Sequence, residues 1–213
     1  MSSPSPNQGL ALIVSAPSGT GKTTVCGKLR EQIPDLRFKI SDTTRQPREG
    51  EKDGIHYHFI SEDTFQNGIK NGDYLEWAQV HTDHYGTRRN QIEQNLQQGY
   101  DLLMELDVQG VTSLREQNFD GIFVLILPPS LSELEKRLVG RGTESPEKIQ
   151  KRLETAKSEI AQYKLFDYIV TNNEVNETVS VLNNILQSER FKTTRFRPKS
   201  DEILSIFNSQ ETN

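Results

Sequence analysis

A short apolar run followed at once by a glycine-bearing turn constrains this chain more than any other feature of its sequence. Residues 10–14, LALIV, have the pattern of a strand that is buried on both faces. Residues 15–24, SAPSGTGKTT, come next, and a helix pattern extends from about Lys22 to Gln32. This arrangement nearly matches the phosphate-loop spacing G-x-x-x-x-G-K-[ST], with Ala16 in place of the first glycine. The segment therefore predicts a nucleotide phosphate-binding loop between a strand and a helix.

The residue types in this loop suit a polyphosphate. Small residues let the backbone wrap around a phosphate with its N–H groups pointing inward, and the helix N-terminus adds positive potential. Lys22 is expected on the β- and γ-phosphates, and Thr23 offers a hydroxyl to Mg²⁺. The full set expected around the nucleotide phosphates is Ala16, Pro17, Ser18, Gly19, Thr20, Gly21, Lys22, Thr23 and Thr24. The motif alone does not distinguish a kinase from a GTPase or an ATPase.

Apolar runs and helical patterns alternate along the rest of the chain. Further buried runs lie at 100–106, 122–127 and 168–170. This alternation predicts an α/β P-loop fold, with a central parallel sheet flanked by helices. The expected divisions are a flexible tail at 1–9, a core at 10–40, 88–130 and 166–190, an inserted subdomain at 41–87, a lid at 131–165, and a tail of unknown role at 191–213.

Composition excludes several classes of protein. The 213 residues, 33% hydrophobic and 26% charged, suit one globular domain with small insertions, and a net charge of −5 disfavours a general nucleic-acid binder. Cys26 is the single cysteine, so neither an intrachain disulfide nor a Cys-rich zinc site can form. No apolar run approaches the ~20 residues that span a bilayer, and residues 1–9 do not resemble a secretory signal. We expect a cytoplasmic protein without a membrane or nucleic-acid partner.

An arginine-bearing segment follows the first helix pattern. Residues 41–51, SDTTRQPREGE, place Arg45 and Arg48 three residues apart with a proline between them. Paired guanidinium groups suit a phosphate dianion. The four histidines lack a metal-binding constellation and are expected to be packed or solvated; they are His56, His58, His81 and His84.

Nine fragments in one order make the chain similar to the guanylate kinase family over about residues 10 to 190. They are APSGTGKT, SDTTRQPREGE, HY, LEWA, YGT, LDVQG, PPS, KRLVGRG and KRL. The resemblance implies a kinase that transfers the γ-phosphoryl group of ATP to GMP, giving ADP and GDP, in purine nucleotide metabolism and GMP recycling. It also implies Mg²⁺ as cofactor and assigns GMP to the insertion at 41–87.

The same resemblance implies roles for individual residues on the GMP side. The phosphate of GMP would be held by Ser41, Arg45, Arg48, Tyr57 and Tyr85. Glu76 would accept hydrogen bonds from N1–H and the exocyclic amine of guanine, and the Thr87 and Ser41 hydroxyls would meet O6. Adenine would leave Glu76 unpaired in a dry pocket, which is heavily penalised. Gly86 and Asp107 complete the expected GMP-binding set.

The catalytic residues implied by the resemblance are Lys22 and the lid arginines Arg137, Arg141 and Arg152. The acceptor oxygen belongs to an ionised phosphate, so catalysis requires positioning and cationic stabilisation rather than a strong general base. The chain departs from the family pattern at Glu105, where an aspartate is usual. Residues two apart on a strand face the same side, so Glu105 and Asp107 are both expected to face the site. Glu105 could reach Mg²⁺ through a water, and Asp107 could contact guanine or a lid arginine.

Two other functions are compatible with parts of this pattern. A non-catalytic guanylate-kinase-like module that binds protein partners predicts a damaged phosphate loop or lost lid arginines, whereas Gly21, Lys22 and Arg137 are present. A related kinase for another phosphorylated acceptor would lose the guanine contacts, whereas Glu76 and Thr87 are present. The sequence does not distinguish a monomer from a homo-oligomer.

Overall fold

A central parallel sheet and a smaller second sheet form the framework of the molecule. The structure is a computed structural model, and it describes residues 8–80, 82–140, 145–195 and 205. The strands are β1 (Ala11–Ser15), β2 (Arg37–Phe38), β3 (Asp42–Thr43), β4 (His58–Phe59), β5 (Tyr74–Val80), β6 (Asp83–Arg88), β7 (Leu102–Glu105), β8 (Ile122–Leu127) and β9 (Tyr168–Thr171). The helices are α1 (Lys22–Gln32), α2 (Glu62–Asn71), α3 (Arg89–Gln97), α4 (Val108–Glu116), α5 (Leu131–Val139), α6 (Pro146–Ala161) and α7 (Val175–Glu189), with a 3₁₀ turn at Tyr163–Leu165.

The central sheet has the strand order β2-β7-β1-β8-β9, and all its pairings are parallel. The predicted α/β fold with a parallel sheet is therefore confirmed. The predicted helix at 22–32 has the bounds of α1, and the run at 122–127 has those of β8. The run at 100–106 is longer than β7, which covers only Leu102–Glu105.

Alternate residues of β1 supply the two faces of the core. Leu12 and Val14 pack in a cluster with the apolar faces of α1 and α7. Ala11 and Ile13 belong to the cluster on the opposite face, which includes residues of α3 and α4. This period of two is the geometry of a strand covered on both sides, and it explains why the run is continuously apolar.

The second sheet, with the order β4-β3-β6-β5, lies within the stretch predicted as an inserted subdomain. Strands β5 and β6 form an antiparallel hairpin, and β3 joins its β6 edge. Asp42 of β3 is completely buried; it accepts a hydrogen bond from Tyr74 Oη (2.9 Å) and forms a salt bridge with Arg88, whose Nε lies 2.7 Å from Asp42 Oδ2. These bonds tie together strands that are distant in sequence.

Helices α5 and α6 each begin directly after a serine. Ser130 Oγ accepts from the backbone N–H of Glu133 at 3.1 Å, and Ser145 precedes Pro146 at the first position of α6. Leu134, Leu138 and Leu153 pack in a small cluster of their own. Arg141, in the gap at 141–144 between these helices, lies outside the described residues, as do residues 1–7, His81, 196–204 and 206–213.

Among the helices that the structure describes, none combines the length and the hydrophobicity needed to cross a bilayer.

Candidate active site

The predicted phosphate loop joins β1 to α1. Gly19 and Gly21 have φ values of 94° and 97°, in the left-handed region that glycine adopts without strain. Gly21 is also the N-cap residue of α1, so the free N–H groups of the first helical turn face the same turn of chain. The loop therefore has the backbone shape and the helix terminus that an anion site requires.

Side chains from distant segments hold this loop in place. The carbonyl oxygen of Thr20 accepts hydrogen bonds from Asn172 Nδ2 at 2.8 Å and from Arg137 Nη1 at 3.2 Å. Asn172 is buried just beyond β9, and its Oδ1 accepts from Thr178 Oγ1 at 3.0 Å. These two hydrogen bonds to its carbonyl oxygen fix the orientation of the Thr20 peptide group. Asn172 was not predicted from the sequence, where its only signal is its place after a buried strand.

The Lys22 side chain extends from the first residue of α1 towards the end of β7. Its Nζ donates to the carbonyl oxygen of Leu106 at 3.2 Å. The next two residues, Thr23 and Thr24, are exposed in the first turn of the helix. The ammonium group of Lys22 and the hydroxyl of Thr23 are thus available beside the loop.

Two of the predicted lid arginines contact the phosphate loop directly. Arg137 of α5 donates to Thr20 O and, through Nε, to Glu133 Oε1 at 3.2 Å. Arg152 of α6 donates to the hydroxyl of Ser18. A Cβ atom at Gly19 would lie 2.9 Å from Leu138 Cδ2, so α5 packs closely on the loop. The structure therefore brings two cationic side chains from 131–165 to the predicted phosphate site.

The expectation that Glu105 and Asp107 share one strand face is wrong. Strand β7 ends at Glu105, whereas Asp107 is the N-cap residue of α4 and accepts from the backbone N–H of Gly110 at 2.8 Å. Aspartate favours this position because its carboxylate satisfies a free N–H of the first turn. Glu105 pairs in register with Val14, at the start of the loop. Burial raises the pKa of the Cys26 thiol, and the Glu105 carboxylate raises it further.

Four of the five residues predicted to hold the GMP phosphate, Arg45, Arg48, Tyr57 and Tyr85, form a connected cluster around Arg45. Its Nη2 lies 2.9 Å from both carboxylate oxygens of Glu51, and its Nε donates to Tyr85 Oη at 3.1 Å. The rings of Tyr57 and Tyr85 pack edge-on, with 5.8 Å between their centres. The central carbon of the Arg45 guanidinium lies 5.5 Å from the centre of the Tyr57 ring. The backbone N–H of Arg48 donates to Glu51 Oε2 at 2.8 Å, and Arg48 itself is exposed.

Glu51 occupies the position of an anion in this cluster. Its pKa is lowered most by the hydrogen bond from the Arg48 backbone N–H, and then by Arg45. Burial raises the pKa of Tyr57, which keeps this hydroxyl protonated and able to donate to a phosphate. Glu51 belongs to the motif SDTTRQPREGE, but no role was predicted for it from the sequence. Ser41 lies beside β3, and its carbonyl oxygen accepts from the backbone N–H of His58 at 2.8 Å.

Glu76 and Thr87, predicted to contact guanine, lie opposite each other in the β5–β6 hairpin. Glu76 is 7% exposed, and its Oε1 accepts a hydrogen bond from Thr87 Oγ1. Lys39 Nζ lies 3.4 Å from the same oxygen and is 6% exposed. Gly86 precedes Thr87 where a Cβ would lie 2.8 Å from the Tyr74 ring, so a side chain there would displace the packing.

Two charged residues of the site region, Lys39 and Glu159, were not predicted from the sequence. Lys39 follows β2 in a stretch without a recognisable motif, and only the fold reveals that it meets Glu76. Glu159 is on α6, and its Oε2 is buried without a hydrogen-bond partner among the described residues. Burial raises the pKa of Glu159, and the charge of Asp107 raises it further, whereas Lys22 lowers it.

The phosphate loop and the second sheet meet at residues 105–110. Lys22 Nζ donates to the carbonyl oxygen of Leu106. Four residues further on, a Cβ atom at Gly110 would lie 3.2 Å from Glu76 Oε2. Asp107, between these two contact points, is exposed. The predicted phosphate site and the predicted base site therefore face a shared segment of the chain.

Comparison with known proteins identifies the family. The family model for guanylate kinase matches residues 8–189. The guanylate kinase of Desulfitobacterium hafniense is 42% identical over 189 residues, which are 89% of this chain and 94% of that protein. The guanylate kinase of Clostridioides difficile is 41% identical over 190 residues, which are 89% and 93% of the two chains.

A solved structure gives the same result. The crystal structure of guanylate kinase from Anaplasma phagocytophilum superimposes with a TM-score of 0.72 at 32% identity, covering 89% of this chain and 90% of that one. Sequence and fold agree, and the chain belongs to the guanylate kinase family.

Proposed function

We propose a residue-level mechanism for the reaction of this family, in which the γ-phosphoryl group of ATP passes to GMP to give ADP and GDP. As a member of the family, the chain is an ATP:GMP phosphotransferase. One observation carries the proposed residue roles: Lys22 and Glu76 lie against the same short segment 105–110, Lys22 at Leu106 and Glu76 at Gly110. A donor nucleotide on the loop and an acceptor on the second sheet would then meet over this segment.

The donor half consists of residues 16–24. Backbone N–H groups of the loop and of the first turn of α1 bind the phosphates of ATP, and Lys22 contacts the transferring group. Arg137 and Arg152 now donate to neutral loop oxygens. Phosphate oxygens are stronger acceptors because the resulting hydrogen bonds are charge-assisted. We therefore expect both guanidinium groups to turn towards the phosphates when ATP is bound.

The acceptor half holds GMP by its phosphate and by its base. The phosphate dianion takes the place of Glu51 beside Arg45, and the Arg48 side chain with the hydroxyls of Ser41, Tyr57 and Tyr85 completes its shell. At the other end, Glu76 accepts from the N1–H and amine groups of guanine. Thr87 and Ser41 donate to O6, and Gly86 lets the base approach the hairpin.

Charge stabilisation is the main task of this chain's residues in the transfer step. The attacking oxygen of GMP is already ionised at neutral pH, so no side chain has to remove a proton from it. Negative charge on the transferring group is balanced by Lys22, Arg137, Arg141 and Arg152. Closure of 131–165 over the phosphates would exclude water, which would otherwise accept the phosphoryl group.

The residues beside the loop fit a Mg²⁺ ion that is bound mainly by phosphates and waters. Thr23 exposes a hydroxyl at the start of α1, and Glu105 is partly exposed next to the loop. The described residues contain no cluster of three or more His, Cys, Asp or Glu side chains that would enclose a metal, and Mg²⁺ does not need one. When bound, the ion would neutralise charge on the ATP phosphates; Thr23 would hold it, with Glu105 acting through a water.

The cellular setting follows from the substrates. Both are common intracellular nucleotides, so we propose a cytoplasmic role in purine nucleotide metabolism and GMP recycling. A net charge of −5 gives no support to a nucleic-acid partner.

An acceptor panel tests the activity. The purified protein is given Mg-ATP with GMP, AMP, CMP, UMP or no acceptor, and ADP and diphosphate products are separated by chromatography. We expect GDP from GMP at a rate at least about 10²-fold above any other nucleotide, as for sites that read a base by hydrogen bonds. A Lys22→Ala preparation made in the same way controls for contaminating kinases. Equal rates with two acceptors, or no GDP, would contradict the proposal.

A further inference from the structure

A buried lysine lies beside the carboxylate assigned to guanine. Lys39 Nζ is 3.4 Å from Glu76 Oε1, and the two side chains are 5% and 8% exposed. No motif contains this lysine, and neither the donor half nor the acceptor half uses it. A fully buried cation is costly unless it has a partner, so its presence at this point requires an explanation.

We propose that Lys39 determines base choice, because it keeps Glu76 in the ionised form that accepts guanine and rejects adenine. The inference rests on the proposed assignment of Glu76 to the edge of guanine. Lys39 is a positioning residue in this account, since it acts on the nucleotide through Glu76.

The two protonation states of a carboxyl group display different hydrogen-bonding patterns. An ionised carboxylate offers only acceptors, which match the two adjacent donors of guanine, N1–H and the amine. A protonated carboxyl offers one acceptor and one donor. That pattern matches the edge of adenine, where an amine donor adjoins the N1 acceptor. The charge of Glu76 therefore decides which purine its edge matches.

Burial works against that charge, and Lys39 opposes the effect of burial. A carboxylate removed from water tends to take up a proton, whereas a cation within about 4 Å favours the ionised form. The interaction is mutual: burial lowers the pKa of Lys39, and the Glu76 carboxylate raises it. Lys22 lowers the pKa of Lys39 and Asp107 raises it, and both act less strongly than Glu76.

The bonds to Glu76 also show how guanine would enter. Oε1 already receives Thr87 Oγ1 and faces Lys39. Oε2 receives no hydrogen bond from the described residues and lies beside Gly110. One guanine donor can bind Oε2 directly, and the other can replace Thr87, whose hydroxyl then becomes free to donate to O6. Lys39 remains in place throughout and holds the carboxylate ionised.

A charge-free variant of similar length tests the proposal. For Lys39→Met, steady-state kinetics with GMP and AMP are measured from pH 6 to 8.5, and GMP binding is measured by calorimetry. We expect kcat/KM for GMP to fall about tenfold or more at pH 6, mainly through KM, and to recover partly as the pH rises. The preference for GMP over AMP should shrink most at low pH. Lys70→Met, on the exposed face of α2, is the matched control and should follow the wild type.

Two further measurements keep a negative result interpretable. Calorimetric binding of ATP to Lys39→Met reports whether the fold survives. If it does not, the double variant Lys39→Met/Glu76→Gln, which leaves no unpaired charge, is compared with Glu76→Gln alone. The proposal predicts equal purine preference in these two proteins, because Lys39 acts only through Glu76; a further loss in the double variant overturns it.

The failure of this proposal is distinguishable from the failure of the site assignment. If Glu76→Gln keeps the wild-type preference for GMP, the assignment of Glu76 to guanine is wrong, and the role of Lys39 falls with it. If Glu76→Gln loses the preference while Lys39→Met keeps the wild-type ratio and pH profile, only the role of Lys39 is overturned.

Discussion

The phosphate loop and the second sheet differ in the parts of the chain that they offer to a nucleotide. The loop uses backbone groups of consecutive residues, in a turn shaped by two glycines with positive φ. The second sheet uses side chains from separate segments, which are already paired with each other: Arg45 with Glu51, and Glu76 with Lys39 and Thr87. Backbone donors need no partner to stay in place, whereas buried charged side chains do.

This difference predicts where substitutions act. On the loop side, we propose that the key side chains contact the group that is transferred, so their loss should lower kcat. On the second sheet, ligand binding exchanges one set of partners for another, so losses should appear in KM and in specificity. Glu51 and Glu76 each form a salt bridge, whereas Oε2 of Glu159 has no hydrogen-bond partner in the part of the chain that the structure describes.

The largest expected effect follows from Lys22→Ala. Loss of the ammonium on the transferring phosphate should lower kcat at least about 10²-fold while the fold is retained, as found when a preorganised charge-stabilising group is removed. Circular dichroism with steady-state kinetics checks both parts. Lys28→Ala, on the same helix and bonded to Asn176, is the control. A kcat within about tenfold of wild type would mean that the variant loses under ~1.4 kcal/mol of transition-state stabilisation. That result would contradict the proposal that the loop side acts on kcat.

A similar but base-selective loss follows from Glu76→Gln. The amide keeps the size but removes the charge and half of the acceptor capacity, so kcat/KM for GMP should fall roughly 10²-fold. AMP should stay a poor substrate, disfavoured by a smaller ratio. Kinetics with both nucleotides give the measurement, with exposed Glu93→Gln as control. An unchanged GMP-to-AMP ratio would mean that guanine is recognised elsewhere.

Arg137→Ala should have a smaller effect, confined to the donor side. Arg137 holds the loop through Thr20 O and is proposed to stabilise charge in transfer, so kcat should fall about 10- to 100-fold, with little change in KM for GMP. The adjacent and exposed Lys136→Ala controls for changes on the surface of α5. A change in the KM for GMP alone would move Arg137 to the acceptor site.

The smallest effect concerns Glu159→Gln and depends on pH. A raised pKa in the folded state means that Glu159 stabilises the fold below its ordinary pKa of about 4.3, and that this contribution is lost as pH rises through the raised pKa. The variant should therefore melt about 1–3 °C higher than wild type at pH 8, with the difference fading near pH 4. Glu154→Gln, exposed on the same helix, should show no such trend. A destabilised variant at pH 8 would mean that this carboxylate is paired.

The contrast between the two sides also explains what the sequence could predict. The loop is local, so a strand pattern, small residues and Lys22 identify it without a fold. The base site combines Lys39, Glu76 and Thr87, which lie far apart in sequence, and resemblance to a family supplied only the last two. Asp107 was wrongly expected on the strand face of Glu105, because an aspartate that follows a strand can also be the N-cap residue of the next helix. Asn172 contacts the loop only through the backbone carbonyl of Thr20 among the contacts described above, and no sequence motif marks such a contact.

The central claim is that one side of the site binds the donor and the other binds the acceptor. Calorimetric titration of ATP with Mg²⁺ and, separately, of GMP into wild type, Lys22→Ala and Glu76→Gln tests it most directly. We predict that Lys22→Ala weakens ATP binding and leaves the Kd for GMP within about twofold of wild type, while Glu76→Gln does the reverse. If either variant weakens both nucleotides equally, or Glu76→Gln weakens ATP alone, the division of the site is contradicted.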